Sequence, residues 1–275
     1  SVTGGFMSVT YPLGFRAGGI QAGLRTTPGL DLALIVNDGP ADVVAGVFTT
    51  NRVCAAPVQW SRHATADHKA RAVIVNAAVA NACTGIDGFA DCDITFSRVD
   101  SDACMSTNDT VVAMASGASG ISLTGDELTD ALTELCAILA RQLVADAEGS
   151  HHDVKVTVTG AISTEAAVAV AREVTRSNLV KTAIAGNDPN WGRILAAIGC
   201  VPENVAPFDP DQVDVSINDI QICKAGGIGE DRNLVDMRPR EVHIDIELHA
   251  GDAEAAVWTN DLTHQYVEEN SEYTS

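Results

Sequence analysis

The residues best placed for chemistry stand in one short stretch, Asn187-Asp188-Pro189-Asn190-Trp191-Gly192-Arg193. A turn this rich in Asn, Asp, Pro and Gly has a defined geometry, because each of these residue types favours a particular backbone state. One of the chain's three tryptophans and an arginine stand at this turn, which favours a constructed binding site. The structural alternative is the C-terminal cap of a helix, followed by a tryptophan that packs into the core.

Other candidate groups carry weaker signals. His151-His152 could belong to a metal site, but no third ligand is suitably spaced, so solvent-exposed histidines are favoured. Gly226-Gly227-Ile228-Gly229 is followed by no predicted helix, which favours a hairpin loop over a phosphate-binding loop. The seven cysteines include no Cys-x-x-Cys pair, so we expect no zinc site and mostly buried thiols. No Gly-x-Ser-x-Gly motif of a serine hydrolase is present.

Charge and hydropathy exclude several classes of protein. Lys and Arg number 17 against 37 Asp and Glu, for a net charge of −20, so a nucleic-acid partner is not expected. The acidic residues are scattered, which indicates a solvated acidic surface and fits a salt-rich cytoplasm as well as an ordinary acidic protein. No apolar stretch is long enough to cross a bilayer, and no secretory signal is visible. A cytoplasmic location is therefore expected.

The elements that position these residues follow from hydrophobic periodicity. Thr124 and Glu127 are spaced as a capping box, and five leucines at 128, 132, 135, 139 and 143 then fall on one face of a predicted helix. Ser163 or Thr164 caps a second predicted helix, which reaches about Ala185. Residues 107–114 fit either a strand or the start of a helix. Strands are predicted at residues 30–36, 43–49, 72–75, 154–158, 213–217, 220–223, 242–248 and 253–259. Strands in blocks with helices between them predict a mixed α/β fold with helices layered on sheets.

Short motifs along the chain match one enzyme family in order. They are Gly14-Phe15-Arg16-Ala17-Gly18-Gly19, Asp31-Leu32-Ala33-Leu34-Ile35-Val36-Asn37, Gly46-Val47-Phe48-Thr49-Thr50-Asn51, Ala55-Ala56-Pro57-Val58, Asn81-Ala82-Cys83-Thr84-Gly85, Ser106-Thr107-Asn108-Asp109-Thr110, Asp146-Ala147-Glu148-Gly149, Asp188-Pro189-Asn190-Trp191-Gly192-Arg193 and Tyr266-Val267-Glu268-Glu269-Asn270-Ser271. Together they resemble the ornithine acetyltransferases, the bifunctional glutamate N-acetyltransferases of arginine biosynthesis.

The resemblance implies a double-displacement acetyl transfer. Such an enzyme cleaves itself before a threonine, whose hydroxyl takes acetyl from N-acetylornithine and passes it to glutamate. The freed α-amino group serves as a nearby base, and an oxyanion hole stabilises the tetrahedral intermediate. Because the threonine stores the acetyl group, no cofactor is implied, and no metal.

Three residues carry over from the family with matching context. Glu148, in Asp-Ala-Glu-Gly, resembles a glutamate that holds the amine of the substrate. Asn270 and Ser275 resemble a C-terminal pair that closes on the substrate, and the position of Ser275 at the end of the sequence fits that role. The structural alternatives are a carboxylate at a helix end and a frayed tail.

The family's central segment is not found between Asp91 and Ile94. That segment carries the Ser-Thr-Gly oxyanion element, a Lys-Gly motif with a substrate-binding lysine, and the Ala-Thr-Met cleavage site with the nucleophile. No catalytic residue is therefore assigned. The expected function is acetyl transfer from N-acetylornithine to glutamate. The alternatives are a non-catalytic relative that binds acetylated amino acids or serves in an oligomer, and a shortened version of a full-length enzyme.

For the architecture, the resemblance implies an αββα-like arrangement of mixed sheets layered with helices. We expect residues 1–275 to form a single ornithine-acetyltransferase-like unit. Residues 1–91 resemble the start of the family's α chain, and residues 94–275 resemble its β chain. The implied partners are the small-molecule substrates and a homo- or hetero-oligomer, with neither nucleic acid nor membrane.

Overall fold

The computed structural model describes residues 8–23, 29–76, 98–104 and 106–272. The chain divides into two compact units. The first comprises Ser1–Asp93, Met105–Ala131 and Ser275, and the second comprises Ile94–Cys104 and Leu132–Thr274. The Asn81–Gly85 motif, the junction between Asp91 and Ile94, and Ser275 lie outside the described residues.

The first unit contains two small antiparallel sheets and a short helix. One sheet has the order β1-β2-β4, and β3 pairs with β5 in the other. The strands are β1 (Phe15–Ile20), β2 (Leu32–Asn37), β3 (Val43–Phe48), β4 (Ala72–Asn76) and β5 (Thr110–Ala115), and the helix is α1 (Ala56–Ala64). The strands predicted at residues 30–36, 43–49 and 72–75 are confirmed, and residues 107–114 contribute to a strand rather than a helix. Strand β1 was not expected, because its Gly-rich sequence has low β propensity.

The described part of the first unit has a small core. Cys54, Ala55 and Val58 form its buried cluster, against which Phe48 packs. Helix α1 begins with Pro at its first turn, where the missing N–H removes no helical hydrogen bond. Large apolar side chains of β1, β2 and β4 remain exposed, so burial in this unit is far from complete.

The predicted capping box begins helix α2 (Gly125–Ala145). The backbone N–H of Thr124 donates to Glu127 Oε2 over 2.8 Å, and the N–H of Glu127 donates to Thr124 Oγ1 over 3.3 Å. The leucine face of this helix is nevertheless largely exposed, at Leu128, Leu135, Leu139 and Leu143. Its buried residues are instead the smaller Cys136, Ala140 and Val144. The hydrophobic periodicity predicted the helix correctly, but the face that is buried is next to the leucine face.

The second unit is built on a six-stranded mixed sheet of order β11-β6-β10-β7-β8-β9. Its strands are β6 (Asp153–Ala161), β7 (Asp214–Ile217), β8 (Ile220–Lys224), β9 (Gly227–Ile228), β10 (Glu241–Glu247) and β11 (Ala253–Asn260). β6 and β10 pair in parallel, while the other pairs are antiparallel. Gly227 and Ile228 pair with β8, so the predicted hairpin is confirmed.

Helices α3 (Thr164–Arg176), α4 (Asn178–Ala185) and α5 (Trp191–Ile198) bury their apolar faces in one core with this sheet, and α6 (His264–Glu272) follows the last strand. The inward residues of β6 are Val154, Val156 and Val158, which alternate with more exposed neighbours as a half-buried strand requires. Helix α3 contributes buried Ala167, Val170, Ala171 and Val174, the face that its periodicity predicted. The predicted mixed α/β fold with helices layered on sheets is thus confirmed.

One helix boundary differs from the prediction. Ser163 caps α3 by accepting from the N–H of Ala166 over 3.2 Å, as expected. The helix does not continue to Ala185, because Ser177 adopts an extended conformation (φ −73°, ψ 109°) and separates α3 from α4. The Ser177 hydroxyl then accepts from the N–H of Val180 over 3.3 Å and caps α4. A serine in the middle of an apparent helix can cap a second one, and the apolar period alone does not show this.

Among the described residues, no helix is both long and apolar enough to span a membrane.

Candidate functional site

The Asn187–Arg193 turn connects α4 to α5 and uses its polar groups internally. Asn187 has a positive φ of 53° after Gly186, which ends α4. The Asn190 side chain caps α5 by accepting from the N–H of Arg193 over 3.2 Å. Arg193 Nη1 donates to the carbonyl of Leu179, in the first turn of α4, over 2.8 Å and to Thr182 Oγ1 over 3.3 Å, which ties the turn back onto α4.

Trp191, at the start of α5, packs against the core of the second unit. Asp188 forms an ion pair with Arg232, with Oδ1 and Nη1 3.6 Å apart. The structural alternative, a helix cap followed by a packed tryptophan, therefore describes this motif. Its constrained composition reflects two helix ends that must be satisfied within a few residues.

Glu148 and Asn270, which the sequence places 122 residues apart, lie in direct contact. Asn270 Nδ2 donates to Glu148 Oε2 over 2.8 Å and to the carbonyl of Tyr266 over 2.9 Å. Glu148 lies in the loop that follows α2, and Asn270 lies on α6. Both side chains are exposed, so the carboxylate and the amide can be reached by a ligand. Of the three predicted site residues, the structure brings these two together.

A buried contact between His152 and Asp261 fixes the loop that carries Glu148. His152 Nδ1 lies 2.8 Å from Asp261 Oδ2, and His152 Nε2 lies 3.0 Å from the carbonyl oxygen of Met237. Asp261 Oδ1 accepts from the N–H groups of His151 and His152 over 2.9 and 3.1 Å. The expectation of solvent-exposed histidines is wrong for His152, which is 6% exposed. No group of three possible ligands that could hold a metal ion occurs among the described residues.

A second set of contacts joins the same loop to the start of α6. Thr263 Oγ1 donates to the carbonyl of Gly149 over 2.7 Å and accepts from the N–H of Tyr266 over 3.2 Å. Gly149 has a φ of +62°, and a Cβ at this position would lie 2.3 Å from the backbone nitrogen of Tyr266. Only glycine permits this conformation and this close approach together.

These contacts fix the loop of Glu148 relative to the start of α6, the helix that carries Asn270. Sequence reasoning missed His152, Asp261 and Thr263 as positioning residues, because each acts on a partner about 110 residues away. The one local signal was Gly149 itself, a glycine directly after the candidate glutamate.

Lys181 lies at a cavity of about 310 Å³ in the second unit, which Asp102, Arg176, Asn260 and Tyr266 help to line. It is 4% exposed, and burial lowers its pKa to about 8. The nearby carboxylates of Asp100, Asp261 and Asp102 act in the opposite direction.

The ammonium of Lys181 donates to the carbonyl of Ser101, to Thr259 Oγ1 over 3.1 Å and to Asn260 Oδ1 over 3.4 Å. These acceptors match its three N–H groups, so Lys181 ties α4 to the end of β11 and to residues 98–104.

The sequence matches the model of the ArgJ family over residues 16–95 and 90–275, two stretches that meet at residues 90–95. It is 40% identical to the arginine biosynthesis bifunctional protein ArgJ of Bifidobacterium longum over 391 aligned positions, which cover 98% of this chain and 100% of the relative. The ArgJ protein of Streptomyces coelicolor is 38% identical over 386 positions, with the same coverage. Since this chain has 275 residues, at least 116 of the 391 positions in the first alignment have no residue here.

The fold is similar to a solved structure of the same name. The crystal structure of arginine biosynthesis bifunctional protein ArgJ from Bacillus halodurans superposes with a TM-score of 0.59 and 35% sequence identity. The match covers 65% of this chain and 87% of that chain, and it supports the αββα-like arrangement of sheets and helices. With nearly the whole sequence matched and the fold shared, this chain belongs to the ArgJ family.

Proposed function

We propose that this chain serves the acetyl transfer of arginine biosynthesis, with N-acetylornithine as the donor and glutamate as the acceptor. Membership of the ArgJ family supports this assignment, and the curated relatives carry names in arginine biosynthesis. The observation that carries it at the level of residues is the 2.8 Å contact between Glu148 and Asn270. Two residues that the family motifs assigned to substrate are exposed, adjacent and rigidly supported.

The chemistry of this pair suits an amino-acid substrate. The Glu148 carboxylate can accept hydrogen bonds from an ammonium group, while Asn270 occupies one of its oxygens and fixes its orientation. A hydrogen bond to a charged group contributes about 1.5–3 kcal/mol. Glu268, Glu269 and Glu272 on α6 add negative charge nearby, which further favours a cationic group. Ser275 remains proposed as a third contact.

The roles that residues of this chain can have in the reaction follow from the motifs that the sequence contains. Among the described residues, Glu148 and Asn270 are suited to bind the substrate. The family's oxyanion element, its substrate-binding lysine and its nucleophile are not found between Asp91 and Ile94. The alignment positions without a counterpart support the same conclusion. We therefore assign Glu148 and Asn270 to substrate binding and no residue of this chain to the nucleophile.

Two measurements on the purified chain test the proposal. N-acetylornithine at about 100 times its dissociation constant should stabilise the fold by about 2.7 kcal/mol, seen as a rise in melting temperature. Glu148→Gln should weaken this binding about 10- to 100-fold, because the shape is kept and the charge is lost. Glu203→Gln, an exposed glutamate elsewhere in the second unit, is the matched control and should bind normally.

Turnover is measured separately, as formation of N-acetylglutamate from N-acetylornithine and glutamate at low and high salt. Product formation would establish complete acetyl transfer. A melting shift without product would identify a chain that binds the substrate but lacks the chemistry. The substrate assignment fails if neither N-acetylornithine nor glutamate shifts the melting temperature, or if both glutamate variants behave alike.

We further propose that the protein is cytoplasmic and oligomeric. We propose no nucleic-acid partner for it. The net charge of −20 supports a salt-rich setting, because screening reduces self-repulsion. Sedimentation and thermal unfolding over a range of salt concentrations test both the oligomer and the salt dependence.

A further inference from the structure

Two strands of the first unit have sequences typical of strands covered on both faces. β2 runs through Leu32-Ala33-Leu34-Ile35-Val36 and β4 through Ala72-Val73-Ile74-Val75, with no polar residue in alternation. A strand with one solvated face alternates apolar and polar residues, whereas a continuous apolar run indicates cover on both sides. The sequence therefore predicts a layer of protein above and below this sheet.

Of the four large apolar side chains of this sheet that are exposed, three lie on one face, which we call the open face, and Val75 lies on the other. The register sets Gly18 beside Leu34 and Leu34 beside Ile74, with Ile20 beside Leu32 on the same side. On this open face, which comprises residues 16, 18, 20, 32, 34, 36 and 74, Ile20 is 59% exposed, Leu34 44% and Ile74 70%. These side chains line a shallow groove of about 510 Å³.

The open face is nearly free of charge. Its one charged residue is Arg16, at the edge of the groove, where the guanidinium already pairs with Asp38. A contiguous apolar surface of this kind on a soluble unit marks an interaction site. The small core of the first unit is a further reason to expect a partner on this face. A sheet that buries few apolar side chains gains stability when a second layer packs on it.

The comparison with relatives indicates what that layer is. At least 116 aligned positions of the Bifidobacterium longum protein have no residue in this chain, and the two family matches meet at residues 90–95, which follow β4 in the sequence. A segment of that length is large enough to form a layer on a three-stranded sheet.

We propose that the open face of the β1-β2-β4 sheet is a docking surface for a separate polypeptide that corresponds to the relatives' central segment. The partner is an apolar-faced polypeptide of about the missing length, bound by the Ile20, Leu34 and Ile74 side chains. This inference rests on family membership and on the sheet, and is independent of the substrate assignment to Glu148.

Co-expression tests the docking without any substrate. The part of the Bifidobacterium longum protein that aligns with no residue of this chain is produced as a separate tagged polypeptide and purified. We expect this chain to co-purify in a 1:1 complex. Ile74→Glu should reduce recovery at least 10-fold. Ile228→Glu, the same substitution at an 86% exposed isoleucine of β9 in the second unit, should not.

A covalent version of the experiment removes the dependence on a soluble fragment. The same segment is inserted at residues 90–95, and amide hydrogen exchange is compared with that of the present chain. Exchange in β1, β2 and β4 should slow at least 10-fold, while exchange in β8 and β9 should not change.

Three results would overturn the proposal. The first is absence of a complex in co-expression or of slower exchange in the covalent version. The second is equal loss of recovery in both glutamate variants. The third is a dimer of this chain alone that Ile74→Glu abolishes, which would assign the open face to a second copy.

Discussion

Asp261 offers the sharpest test of how the candidate site is held, because its carboxylate is fully buried and accepts from several groups. Asp261→Ala removes the acceptor of the His151 and His152 N–H groups and of His152 Nδ1. These donors lie in the loop after Glu148 and in the first residues before β6. The substitution therefore removes hydrogen bonds that hold the loop of Glu148, and it leaves Glu148 and Asn270 unchanged.

The expected loss is large for a single substitution. A buried donor left without an acceptor costs about 1–3 kcal/mol. Since the three donors share one carboxylate and are not additive, we expect the free energy of unfolding of the second unit to fall by about 3–5 kcal/mol. With a urea m-value of about 2 kcal/mol per molar, the midpoint should drop by about 2 M.

Urea unfolding followed by tryptophan fluorescence measures this loss. The three tryptophans are Trp60, in the first unit, and Trp191 and Trp258, in the second. A Trp60→Phe background therefore confines the signal to the second unit. Asp236→Ala is the control, because the Asp236 carboxylate likewise accepts from a backbone N–H and a side chain, both of Arg238, but both side chains are at least half exposed.

The control should change the free energy of unfolding by less than about 1 kcal/mol, as expected for a surface pair. If Asp261→Ala costs no more than Asp236→Ala, the buried pair does not support the loop and the reasoning fails. A large loss of stability without any loss of N-acetylornithine binding by the remaining folded protein would separate stability from positioning.

The two remaining predictions use the same unfolding assay. Burial places the pKa of Lys181 in the folded state at about 8, below its ordinary value of 10.5. Between these two pH values the unfolded chain therefore binds more protons than the folded chain. The free energy of unfolding should thus rise from pH 8 to pH 10.5, by up to about 3 kcal/mol. Lys181→Met should remove this rise, and identical pH slopes in the two proteins would contradict the assigned burial effect. Gly149→Ala should lower the free energy of unfolding by about 1–3 kcal/mol more than Gly120→Ala, because both glycines have a positive φ but only at Gly149 does the added Cβ meet backbone, at Tyr266. Gly120 lies in the first unit, so this comparison retains Trp60, which reports the unfolding of that unit. Equal losses would show that the loop moves away from α6 at little cost.

Much of the second unit was predictable because its signals are local. The alternation in β6 and the Ser163 cap of α3 depend on residues within a few positions of one another. The break at Ser177 was not predicted, because the apolar period continues across it and only the backbone conformation reveals two helices. In α2 the period was right, yet packing buried Cys136 and its neighbours rather than the leucines.

The candidate site divides along the same line. By itself, the sequence determined the family, the mixed α/β fold and the candidates Glu148 and Asn270, since motif order and periodicity are written along the chain. Only the tertiary structure decided that these two residues touch, that the buried His152 contacts Asp261, and that Arg193 hydrogen-bonds back to α4. The physical reason is distance: the Glu148–Asn270 and His152–Asp261 contacts join residues about 110 or more positions apart, and the contacts of Arg193 depend on how α4 and α5 pack.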